Sequence, residues 1–323
     1  MNNKKIYVVL LLVLLSILTI AQNKSAHDNE IITIVEQIDS IPVPISFQNS
    51  LEVNNNGGHL QGVQYYEYNQ NGYYFLTGSS DKYSYYSVLK MDQNSFVISI
   101  NKILDKPFKH AGGFQIYQNL MAIGVEDNSA RDRSKVFIYR IENPEKPPSK
   151  PLAVIERSGK KKRATAGCVG IIEVDKYILV VVGDWDTKHL DFYRIEKEKL
   201  FSNDETFKLV HSIDAGELDK SEWVNNSWLS YQNINLIKDS SGKLYLAGLG
   251  SNDKDENILD LFSIETEGLN SFNLKKIHTK IFIRNKEVNF DWGAGVYMTD
   301  NNQLKVFSCE AHIQKESRIY VFE

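Results

Sequence analysis

The chain is short of several things at once: 2 Cys, 7 Pro and 4 Met occur among 323 residues. Two cysteines cannot staple a small scaffold, so the fold must rest on a packed core. Basic charge is not in excess either, with 37 Lys+Arg against 41 Asp+Glu, which excludes a polybasic nucleic-acid binder. Long apolar runs are absent after the amino terminus, so no later segment can span a bilayer as a helix. What is abundant is aromatic: 17 Tyr and 15 Phe, with 42% hydrophobic residues in all. That composition gives a large core and leans toward strands.

Lys4-Lys5, an apolar run from Ile6 to Ile20, and small residues up to Ala21 have the layout of a secretory signal. We expect cleavage after Ala21, leaving a domain of residues 22–323 that is secreted or periplasmic. The mature chain would carry 35 Lys+Arg against 41 Asp+Glu, and no transmembrane segment.

Five segments repeat one pattern, a β-branched or aromatic run ending in Gly or Cys: 72–78, 119–124, 177–183, 243–248 and 304–309. Each is preceded by a strand of small residues and followed by a polar loop and a second aromatic strand. Anchoring on Val63, Phe114, Val169, Ile234 and Val296 gives spacings of 51, 55, 65 and 62 residues. Period-2 alternation and short turns such as 69–72 and 239–242 predict antiparallel meanders. Meanders of about 60 residues, with small first strands suited to a crowded centre, predict an all-β, five-bladed β-propeller of four-stranded blades. The blades are placed at about 59–106, 110–158, 165–215, 230–284 and 291–323. The last lacks a fourth strand, and residues 30–41 (Ile31 to Ile38 above all) are expected to supply it and close the ring.

The chain resembles a bacterial secreted β-propeller, and Val136 to Pro147 is similar to the LVIVD-type propeller repeats, in which Asn-Pro follows a strand. The resemblance covers one blade and implies a fold, with no activity attached.

In such a blade the loops between strands 2 and 3, and those entering strand 1, share a face. That face is predicted to work, because its loops are long and polar. All four Trp fall there: Trp185, Trp223, Trp228 and Trp292. Loop Trp can stack on a sugar ring or anchor a protein. With Arg163 as an anion clamp and Tyr231, they are the candidate ligand-binding residues. His59 and His110 stand at equivalent blade entries, and Asp291 at another. These three are the candidate catalytic residues and the nearest approach to a divalent-metal set, although no complete set of ligands recurs. The loop Asp253 to Glu256 is acidic but lacks the glycine of a calcium loop.

Five-bladed propellers include furanose-active glycosidases, which need two carboxylates beside the scissile bond. Of the blade entries only Asp291 is acidic. The sequence-based expectation is therefore a non-catalytic propeller binding a glycan, peptide or other small ligand, with no nucleic acid partner. The alternative is a glycosidase- or esterase-like hydrolase using Asp291, His59, His110 and a neighbouring acid. Cys168 and Cys309 are assigned to blades 3 and 5, too far apart for a disulfide.

Overall fold

The computed structural model describes residues 30–202 and 205–323. The expected signal segment, residues 1–21, lies outside the described residues. No helix among the described residues is long and apolar enough to cross a membrane.

Among the described residues, twenty strands pair into five antiparallel meanders. Strand β1 (Val43–Gln48) comes first in the chain. The first meander is β2 (Leu60–Tyr68), β3 (Asn71–Gly78), β4 (Tyr83–Lys90) and β5 (Phe96–Asp105). The second is β6 (His110–Tyr117), β7 (Leu120–Glu126), β8 (Arg133–Arg140) and β9 (Ala153–Ser158). The third is β10 (Cys168–Val174), β11 (Tyr177–Gly183), β12 (His189–Glu196) and β13 (Lys208–Asp214). The fourth is β14 (Asn233–Lys238), β15 (Leu244–Ser251), β16 (Asn257–Glu267) and β17 (Ser271–Phe282). In the fifth, β18 (Ala294–Met298), β19 (Leu304–Cys309) and β20 (Glu316–Phe322) are completed by β1, with Val43 opposite Val321 and Gln48 opposite Glu316.

The strand that completes this last blade is thus not the expected one. Residues 30–37 form a helix, α1. Ile31, Val35 and Ile38 are buried while Glu30, Thr33, Glu36 and Gln37 are exposed, a spacing of four and three that suits a helix face. β-Branched composition had favoured a strand; the periodicity of the apolar positions and the packing they reach decide otherwise. The three buried side chains wedge into the core between blades 4 and 5, against residues such as Leu259, Phe290 and Phe322. Lys280 Nζ donates to Glu36 O, and Asp39 N to Glu323 O, tying the segment to both blades.

Apolar burial is divided among five clusters, and each lies between two neighbouring blades. Stacked aromatics knit them, for example Phe192 on Phe272 with ring centroids 4.2 Å apart. Between β2 and β3, Asn69 and Gln70 adopt φ of 50° and 63°, the two successive left-handed positions of a tight hairpin turn.

At the centre the backbones come very close. A Cβ on Gly113 would lie 2.3 Å from Gln232 O, and one on Gly295 only 1.8 Å from Val63 O, so neither position admits a side chain. Neighbouring inner strands are bridged at single points, Cys168 with Gly113 and Ala294 with Gly62. Buried side-chain amides serve much of the remaining inner backbone. Gln115 Oε1 accepts from Ile171 N (2.9 Å) and Leu236 N (2.8 Å), and its Nε2 donates to Leu236 O (2.8 Å). Asn233 accepts from Phe114 N and donates to Gln61 O; Asn235 accepts from Val296 N, and Gln64 from Ile116 N.

Replacing Gln115 by the similarly sized Leu strands two N–H groups and one carbonyl in the interior. At about 1–3 kcal/mol for each unsatisfied group, Q115L should lose at least about 3 kcal/mol of stability. Urea unfolding monitored by circular dichroism tests this; an unchanged midpoint and slope would refute the central role of this amide.

Candidate functional site

The starts of the inner strands converge on one face. His59 precedes β2, His110 opens β6, Asp291 and Trp292 precede β18, and His312 lies in the loop between β19 and β20. The His59 ring meets Trp292 edge-on at 5.1 Å, and Gln61 Nε2 lies 3.2 Å from both of its ring nitrogens. Burial lowers the His59 pKa, opposed by a hydrogen bond to Leu60 O; the neighbouring His110 and His312 lower it further, and Asp291 raises it. These charges are close enough to be felt at one imidazole.

His110 brings a further residue. Its Nδ1 faces Glu126 Oε1 at 3.3 Å, and neither atom has a hydrogen-bond partner elsewhere among the described residues. The Glu126 side chain is fully buried, whereas that of His110 is 15% exposed. The other oxygen, Glu126 Oε2, accepts from Ala166 N at 2.9 Å. A buried carboxylate therefore holds an imidazole that reaches the surface. The Trp185 ring lies 6.5 Å from that of His110 and is covered by the Arg131 guanidinium at 3.8 Å.

Asp291 is fixed from the other side. Ser251 Oγ donates to its Oδ1 and Arg284 Nη2 to its Oδ2, both at 2.9 Å. It stands as an ion-paired carboxylate, 42% exposed, beside the His59–Trp292 pair.

A similar carboxylate–imidazole pair is built nearby. Asp184 Oδ2 lies 2.6 Å from His189 Nδ1 and its Oδ1 accepts from His189 N. Burial raises the Asp184 pKa despite those bonds. Its loop carries the one pair of consecutive left-handed non-glycine residues on this face, Asp186 (φ 64°) and Thr187 (φ 53°). For the β-branched Thr187 this is strained. The conformation is held by Thr187 Oγ1 donating to Tyr231 O and by Trp228 Nε1 donating to Thr187 O.

The structure brings His59, His110, Asp291, Trp185 and Trp292 to the mouth of the inner strands. It places the remaining candidates elsewhere. Trp223 is buried, and Trp228 is half-buried, both in the core between blades 3 and 4 against Phe262. Tyr231 is buried with its hydroxyl donating to Asp260 at 2.7 Å. Arg163 is committed to Asp191, which also takes Arg157 and Ser212. Burial pushes the Asp191 pKa up, and these bonds and charges outweigh it and bring it down. Cys168 and Cys309 are buried, and burial raises the Cys168 thiol to about 12. Among the described residues no group of three or more His, Cys, Asp or Glu could hold a metal ion, so His59, His110 and Asp291 do not form a metal set. Sequence reasoning missed Glu126 as the partner of His110. Its place at the end of β7, opposite His110 across the β6–β7 register, was the available signal.

No family model matches the chain, and no curated protein does. Solved structures do. A protein described as "Bifunctional GH43-CE" from Bacteroides eggerthii aligns with TM-score 0.51 and 11% identity over 85% of this chain. The chain spans about a third (34%) of that protein's length. A GH43_1 enzyme from Xanthomonas citri complexed with xylose gives TM-score 0.48 at 10% identity, covering 91% of this chain and 92% of that one. A β-xylosidase, RS223, gives 0.48 at 10%, covering 82% and 92%. The likeness establishes an all-β propeller fold. It also corrects the expectation of a non-catalytic binding propeller: the neighbour that shares the fold at TM-score 0.51 is described as a GH43 protein.

The lowered His59 pKa has a signed consequence. The folded state resists protonation below the ordinary value of 6.5, so the unfolded chain binds the extra proton. The neutral imidazole's contribution is complete above pH 6.5 and is lost as pH falls through the lower folded value. Proton NMR titration should place the His59 midpoint below 6.5, and H59Q should flatten the fall in melting temperature below that pH. A His59 midpoint at or above 6.5 would contradict this environment.

Proposed function

We propose that the chain is an exported five-bladed β-propeller, closed by its amino-terminal strand, that hydrolyses a glycosidic bond at the mouth formed by His110, His59 and Asp291. The observation that carries the reading is the His110–Glu126 pair. An imidazole at the surface, backed by a buried carboxylate with an otherwise unpartnered oxygen, is suited to acid–base work. Asp291 supplies the second group, a carboxylate held rigidly by Arg284 and Ser251. Trp185 and Trp292 flank the two and offer ring faces to a sugar. The likeness of the fold to a protein described as GH43-CE is compatible with this reaction class.

The chemistry then follows from position. The His110 imidazolium gives its proton to the leaving glycosidic oxygen as the bond from the anomeric carbon breaks. Asp291 faces the positive charge developing on the ring. Water completes the reaction at the anomeric carbon, its proton passing to Asp291 or back to His110. Glu126 does not touch the substrate; it is a positioning residue that faces the His110 ring from its buried side.

Release of nitrophenol from a panel of aryl glycosides, including xylosides and arabinofuranosides, tests this. At least one should be cleaved. H110N and D291N should each reduce kcat by about 10²-fold or more with melting temperature preserved. E126Q should lower kcat while leaving KM and melting temperature little changed, the split expected of a residue that acts through His110. A panel left uncleaved, or full activity in H110N, would overturn the reading.

A further inference from the structure

A cavity of about 600 Å³ opens at the other end of the inner strands, away from His110 and Asp291. It is formed where β2, β6, β14 and β18 finish, so four of the five blades contribute to it. Its walls are Tyr65 and Tyr66 from β2, Tyr117 from β6 and Tyr297 from β18, all half-buried, with Gln115 at the base and Lys238 at the rim.

We propose that this cavity is a binding site for a neutral oligosaccharide, separate from the mouth.

The hydroxyl groups make the first argument. Four buried tyrosines elsewhere in the chain spend their hydroxyls on the protein: Tyr73 on Glu145, Tyr86 on Pro148 O, Tyr231 on Asp260, and Tyr320 on Glu287. Tyr65, Tyr66 and Tyr297 make no such bond among the described residues. Burial nevertheless raises all three pKa values, Tyr297 to about 12, so each keeps a proton to donate. Three phenols with uncommitted hydroxyls around one cavity match a ligand rich in hydroxyls.

The rings are also braced from behind. Tyr65 meets Tyr74 and Tyr297 edge-on at 5.2 and 5.0 Å, and Tyr66 meets Phe75 at 6.1 Å. Their orientation is set before a ligand arrives, which lowers the ordering cost of binding. Behind the cavity lining, two buried amide nitrogens, Gln64 Nε2 and Asn235 Nδ2, have no partner among the described residues. The oxygens of the same side chains accept from Ile116 and Val296, both of which line the cavity. The amide layer of the core therefore brings uncommitted donors close to the cavity floor.

Charge selects against the other occupants of such a pocket. Glu67 and Asp300 among the lining residues repel phosphates and carboxylates, and Lys238 opposes a quaternary ammonium that four tyrosines would otherwise suit. Lys238 is itself turned to Glu173 O at 3.2 Å. A neutral ligand meets none of these penalties.

Isothermal titration of the whole chain carrying H110N, with xylotriose, arabinotriose, cellotriose and mannotriose, reads the site directly; choline serves as the cationic control. At least one trisaccharide should bind. Tyr66→Phe with Tyr297→Phe keeps the ring packing and removes two hydroxyls, and should weaken that binding about tenfold. The same pair of substitutions in the otherwise native chain should leave cleavage of small aryl glycosides unchanged. The proposal is overturned if no trisaccharide binds, if choline alone binds, or if binding survives the Phe pair and is abolished by W292A. Binding is read whether or not the chain cleaves any glycoside, so failure of the hydrolase reading and failure of this one are separate results.

Discussion

An inner strand of a radial array has an edge with no neighbour, and the rest of this molecule follows from how that edge is satisfied. Adjacent inner strands diverge too strongly to pair along their length; here they touch at single bridges. Buried N–H and C=O groups left open would cost about 1–3 kcal/mol each. The chain answers with Gln64, Gln115, Asn233 and Asn235, whose amides reach across to neighbouring and next-neighbouring blades. Glycine at 113 and 295 makes room for them. The centre is thus a hydrogen-bonded plug in place of an open channel.

A filled centre separates the two ends of the molecule. The mouth carries imidazoles, Trp185 and Trp292, with carboxylates behind or beside them, whereas the opposite cavity carries tyrosines and rim charges of both signs. Because the plug ties the inner strands together by side-chain hydrogen bonds, groups at either end are held by strands with little freedom to relax. This is the condition under which an uncommitted polar atom keeps its position for a ligand.

The meanders were legible because alternation and turn chemistry are local: 69–72, for example, reads as a hairpin from its Asn and Gly residues and folds as one. Segment 30–38 was not, since a run of Ile and Val fits either a strand or a buried helix face until its tertiary partner is known. The mouth was legible in part. His59, His110 and Asp291 share a blade position, and that position is a property of the repeat. Glu126 was hidden by being the last residue of an otherwise apolar strand. The Trp residues misled for a related reason: a loop is exposed on average, yet Trp223 and Trp228 fold back under their own loop onto Phe262. The tyrosine cavity left no trace, because strand ends on four blades meet only in three dimensions.

The buried charges finally separate structure from function by how completely they are partnered. Lys276, lowered in pKa by burial, is surrounded by Asp260, Asn225, and the carbonyl and hydroxyl of Ser227. Asp260 in turn takes Tyr231 and Thr279. Both oxygens of Asp260 and the Lys276 ammonium are hydrogen-bonded, and the effect is to pin residues 225–231 onto blade 4. Asp191 is equally saturated by two arginines and a serine. Removing a member of either cluster leaves a bare charge in the interior, the arrangement expected of a structural brace. Glu126 and His110 are different. They face each other at 3.3 Å without the further bonds that would lock them, at a depth where an unsatisfied group is costly. A fold that partners its Lys276 and Asp191 clusters so fully leaves this pair with fewer bonds, next to the mouth.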